Sequence, residues 1–74
     1  MAVTPSDIMA RMSECQATAN RTLNEHHVAV QAFQVACARG NWADAEKEED
    51  LALELLRENL DAVQAIYRLR QEMP

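Results

Sequence analysis

Apolar side chains recur at helical spacing along nearly the whole chain. In the first half a stripe runs through Ile8, Met12, Cys15, Ala19, Leu23, His26, Val30, Phe33 and Cys37. Its steps of three and four residues average about 3.6, the period of a straight α-helix. The second half carries two rows. One is Ala52, Leu56, Leu60, Val63 and Tyr67; the other is Leu51, Leu55, Ala62, Ile66, Leu69 and Met73. The rows are rotated by roughly 110° about a helix axis. A single neighbouring helix needs a stripe of about 100°. The second half therefore has apolar surface for two neighbours, and a two-helix chain supplies only one.

Breakers are few. Thr4-Pro5-Ser6-Asp7 reads as a helix start, with Thr4 as N-cap, Pro5 in the first turn and an acid at the third position. Ala38-Arg39-Gly40-Asn41 is the one strong internal stop: Gly40 can adopt the left-handed conformation past a helix end, and Asn41 can cap the next helix. The pattern predicts an all-α fold, a single domain over 1–74 with helices at 5–38 and 42–72, folded as an antiparallel hairpin. Thr18–Thr22 is softer, and Thr22-x-x-Glu25 would serve as a second capping box, so a kink near 19–22 is the alternative.

Folding about Gly40 sets Ile8 near Met73, Cys15 near Ile66 and Leu23 near Leu56. At the turn end, Val30 and Phe33 fall opposite Glu46–Asp50, which offers no large apolar side chain. Phe33 is then expected to stay uncovered in a lone chain. The expected remedy is a homodimer forming a four-helix assembly, with His26, Leu51, Leu55, Ala62, Ile66 and Leu69 at the interface between copies.

Composition narrows the class further. The chain has 74 residues, 13 of them alanine, with a single glycine and two cysteines. A β-sandwich needs more turn formers and a disulfide scaffold more cysteines. A chain this short buries only about 60–65% of its unfolded surface, so its stability is marginal without a partner. No basic segment followed by an apolar run opens the sequence, and no stretch is long enough to span a bilayer. The expected location is the cytoplasm, with Cys15 and Cys37 reduced.

The formal net charge is −5, which argues against nucleic acid and anionic membranes and for a partner with a basic surface. Eight acids lie between Asp44 and Asp61, against Lys47 and Arg57. Beside them Phe33 and Trp42 would supply affinity, as buried aromatics do at interface hot spots. The expected partner-binding surface is Val30, Phe33, Trp42, Glu46, Glu49, Asp50 and Glu54.

Enzymatic motifs are absent: the chain carries no glycine-rich phosphate loop, no Glu-x-x-His pair and no nucleophile with an orienting base. No catalytic residue, metal ligand set or cofactor is assigned. Cys15, His26 and Cys37 leave a metal or redox sensor as a third reading, in which an antiparallel pairing of the first helix would bring each Cys15 to the mate's Cys37 with His26 at the axis.

Three resemblances bear on function. Gly40-Asn41-Trp42-Ala43-Asp44-Ala45 with Ala52-Leu53-Glu54-Leu55 resembles the turn and second helix of a tetratricopeptide repeat, over about 16 residues; Glu49 stands where that family has an aromatic. In length, acidity and hairpin architecture the chain is similar to small helical phage proteins that inhibit host regulators, including anti-activators of quorum-sensing transcription factors. That likeness implies a regulator that covers a basic, DNA-contacting surface. Ala38-Arg39-Gly40 at the turn is similar to small hairpin chaperones of type III secretion needle subunits, which implies the alternative: the apolar rows of the second helix hold a client helix.

Overall fold

The computed structural model describes residues 4–73. Met1–Val3, part of the segment expected to lack a leader, and Pro74 lie outside them. Two helices, α1 (Pro5–Ala38) and α2 (Trp42–Glu72), pack against each other as an antiparallel hairpin about 56 Å long. Both boundaries agree with the sequence pattern, because each end is written in local chemistry. Thr4 accepts from the Asp7 N–H at 3.2 Å, and Pro5 opens the helix. Gly40 has φ +70°. Around it the Asn41 N–H reaches Ala36 O at 2.9 Å and the Gly40 N–H reaches Cys37 O at 3.0 Å. This is the double bond pattern that closes a helix on a left-handed glycine. Asn41 then caps α2 by accepting from the Asp44 N–H.

Helix α1 runs unbroken through 19–22. Thr22 does not cap a new helix. Its hydroxyl donates back to Thr18 O at 2.8 Å, which satisfies it inside the existing one.

The register agrees with folding about Gly40. Arg21 pairs with Glu58, His26 with Ala52 and Asn59 with Ala19. The rotational phase differs from expectation. The inward positions of α1 are Ile8, Met12, Cys15, Ala19, Thr22, His26, Ala29, Phe33 and Ala36. Their steps alternate four and three without exception, an average of 3.5, the repeat of a left-handed two-stranded coil. The 3.6 stripe of the sequence takes two steps of four in succession, from Cys15 to Ala19 to Leu23. It therefore departs from the seam by one residue at Leu23, Val30 and Cys37 while sharing His26 and Phe33 with it. Leu23 is exposed, and Thr22, Ala29 and Ala36 take the inward places of Leu23, Val30 and Cys37.

Helix α2 faces the seam with Ala45, Glu48, Ala52, Leu55, Asn59, Ala62, Ile66 and Leu69. Among the described residues six of the eight buried apolar ones are alanines: Ala19, Ala29, Ala36, Ala45, Ala52 and Ala62. Small side chains let the two backbones lie close together. They also bury little apolar area, so most of the larger apolar side chains of α2 are left outside. At the centre, Ala29, Ala52 and Leu55 form one cluster with Val30 packed on its edge.

Candidate interaction surfaces

The seam divides the hairpin into two unlike sides. Residues one step after each seam position, rotated by about 100°, share one side. Residues one step before share the other. On the first side α2 presents Leu53, Leu56, Leu60, Val63 and Tyr67, all exposed, the tyrosine by 66%. Leu23 and Met9 of α1 add to it. That Gln16, Val63, Tyr67 and Arg70 line one shallow groove places both helices' contributions on the same side.

The opposite side is acidic on balance, its acids outnumbering Arg11, Arg21, Lys47 and Arg68 at equivalent positions. Glu58 and Asp61 line a groove with Glu14 of α1, and Asp44 and Glu54 occupy equivalent positions further along α2. Arg21 bridges Glu25 at 3.1 Å and Glu58 at 3.6 Å. Among the described residues these are the ion pairs formed, so Glu14, Asp44, Glu48, Glu54 and Asp61 have no cationic side chain in contact. Towards the turn the same side opens a groove of about 380 Å³. Its floor is Ala29 and Leu55, its walls Val28 and Leu51, and its rim Glu25 and Glu48. Acids around an apolar floor suit a side chain or helix edge that is apolar with cations beside it.

The residues expected to bind a partner do not form one surface. Val30, Trp42, Glu46 and Glu49 share the apolar side near the turn. Trp42 is 69% exposed there. Glu54 lies on the acidic side and Asp50 points away from α1. Phe33 is corrected: it is half-buried at a seam position, level with Ala45 and the half-buried Glu48. The ring belongs to the inward stripe of the sequence and to the seam alike; what differs from expectation is that the hairpin half-covers it although its level on α2 offers only Ala45 and Glu48.

The expected contacts between copies are corrected more widely. Leu55 and Ala62 are buried, and Ile66 and Leu69 half-buried, all within the hairpin seam. Leu51 walls the acidic-side groove. Of the other row, Ala52 is buried while Leu56, Leu60, Val63 and Tyr67 are exposed. The seam draws on both rows, taking Ala52 from one and Leu55, Ala62, Ile66 and Leu69 from the other, because a coil packed closely on alanine selects the positions that fall in phase with Ala45, Ala52 and Ala62.

His26 is likewise taken up inside the chain, half-buried with Nδ1 2.8 Å from Ala52 O. A carbonyl only accepts, so Nδ1 carries the proton and donates. The expected symmetry-axis place for His26 is therefore already filled by α2. Cys15 and Cys37 are free thiols towards opposite ends of α1, about 33 Å apart at 1.5 Å per residue. Among the described residues no group of three or more His, Cys, Asp or Glu is placed to hold a metal ion, and no helix is long and apolar enough to cross a membrane.

Val28 and the Leu51 wall are not evident from the sequence pattern because Val28 belongs to no apolar row of α1. The signal that finds them is the strict alternation of three and four through alanine, which puts both one step before the seam. No protein family, curated protein or solved structure matches the chain.

Proposed function

We propose that the chain is a protein-binding regulator that occludes a basic surface of another protein, such as the DNA-contacting surface of a transcriptional activator. The observation that carries this reading is the balance of acids on one side: Glu14, Glu58 and Asp61 line one groove and Glu25 and Glu48 rim an apolar one. Asp44 and Glu54 follow at the same helical positions, and together these acids outnumber the cations there. Net negative charge on that side speeds and selects association with a basic partner. Burial of Val28 and Leu51 in the contact supplies affinity that charge alone does not. The likeness to small phage inhibitors of host regulators implies the same mode of action.

The test is affinity capture from the native host with the intact chain, followed by DNA-binding assays on the purified captured protein. The expected partner is a basic protein whose DNA binding the hairpin inhibits. Capture should weaken steeply with salt, and Glu54→Lys with Asp61→Lys should abolish it. A partner held equally well at high salt, and by the charge-reversed chain, would overturn the reading.

A further inference from the structure

The apolar side of α2 has a repeat of its own. Trp42, Glu46, Glu49, Leu53, Leu56, Leu60, Val63, Tyr67 and Arg70 succeed one another by alternating steps of four and three. From Glu46 on, each lies one residue after a seam position and inherits its steps. That five in succession, Leu53 to Tyr67, are large, apolar and exposed makes the row a second coiled-coil seam on a helix whose first seam is already occupied by α1. The steps read the same in both directions about a point midway between Leu56 and Leu60. A copy of the helix laid antiparallel on this point meets the original in register.

The chemistry of the row agrees with that symmetry. Leu56 comes opposite Leu60 of the second copy, and Leu53 opposite its Val63. Further out, Glu49 faces the phenol of Tyr67, which can donate to a carboxylate, and Glu46 faces the guanidinium of Arg70. Every apolar residue from Leu53 to Val63 thus meets an apolar one, and each acid meets a donor. A parallel pairing would set Glu46 and Glu49 against themselves and Arg70 against itself. Laying α2 on α1 of the second copy, in the register of the hairpin, would set Leu53 against His27 and Leu60 against Asn20.

We infer that this face binds a second copy of the chain. Two hairpins join α2 to α2, antiparallel, about a two-fold axis between Leu56 and Leu60. The contact is isologous, so it closes at two copies. It uses none of the acidic side, which is left facing outward on both copies. Self-association on this face is therefore independent of the proposed partner.

Sedimentation and light scattering on the intact chain should report twice 8.3 kDa at micromolar concentration. Leu60→Asp should raise the dissociation constant by at least about a hundredfold. Glu46→Arg and Arg70→Glu should each weaken self-association by about tenfold. The double variant should restore it, because the swap rebuilds both pairs with reversed polarity. Circular dichroism at matched concentration reports whether each variant keeps its helices, and the charge exchange works on exposed positions outside the hairpin seam. A monomer at high micromolar concentration would overturn the inference, as would a dimer indifferent to Leu60→Asp. So would a double charge variant weaker than either single one, or a monomer that takes up an apolar helix of a different protein on this face.

Discussion

The side-chain amide of Asn59 donates across the seam to the main-chain carbonyl of Ala19 at 2.8 Å. It also lies 3.2 Å from the hydroxyl of Thr22, which is fully buried. This polar layer sits among alanines near the middle of α1, where a slip of one heptad would cost few side-chain contacts. A single polar pairing in an apolar coil specifies register at some cost in stability. Asn59→Ala should therefore lower stability in urea denaturation by about 1 kcal/mol. It leaves no orphan, since Thr22 keeps its bond to Thr18 O. Asn59→Leu should be as stable as the native chain or more so, and should give broadened amide spectra as registers mix. An Asn59→Leu chain with a single sharp spectrum would show that the turn alone sets register.

Alanine in the seam is a steric requirement. Ala52→Leu should destabilise the hairpin by about 1–3 kcal/mol, because the backbones are too close to admit the extra methylenes without moving apart. The exposed Ala17→Leu should stay within about 0.5 kcal/mol of the native chain. Thermal unfolding of the pair decides it: equal midpoints would mean that the seam has room.

Phe33 and Trp42 should separate cleanly. Phe33→Ala should cost about 2–3 kcal/mol of folding stability, below the full cost of a buried phenylalanine because the ring is half-covered. Trp42→Ala should cost less than about 0.5 kcal/mol. Chemical denaturation followed by far-ultraviolet circular dichroism reads both. If Phe33→Ala leaves folding unchanged, the ring is not held by α2.

The turn rests on Gly40. An added Cβ there meets nothing within 4 Å, so any cost of Gly40→Ala comes from the backbone at φ +70°. That cost should be about 1–2 kcal/mol. Gly40→Asn should recover most of it, since asparagine tolerates the left-handed region at a helix end. Equal losses for the two variants would point instead to side-chain size.

The limits of α1 and α2, and roughly the level at which the two helices meet, were legible in the sequence. Thr4, Pro5, Gly40 and Asn41 act through bonds to backbone within a few residues, and a turn this short leaves the register no slack. The existence of a second apolar row on α2 was legible too, because rotation by 100° per residue needs no partner to be computed. The charge and its concentration at 44–61 were equally plain, although not the side of the hairpin on which each acid would lie.

Which row turns inward was decided only by tertiary packing. Ranked by apolar area, Leu23, Leu56 and Leu60 belong in the core ahead of Thr22, Ala52 and Asn59. The fold inverts that order. Two long helices gain most from approaching closely along their whole length, and the rows that allow it are those of alanine, threonine and asparagine on a 3.5-residue repeat. Leu53, Leu56, Leu60, Val63 and Tyr67 are outside as a result. Periods of 3.5 and 3.6 differ by one residue only after several turns, so the phase of a seam depends on the helix opposite, which only the folded hairpin supplies.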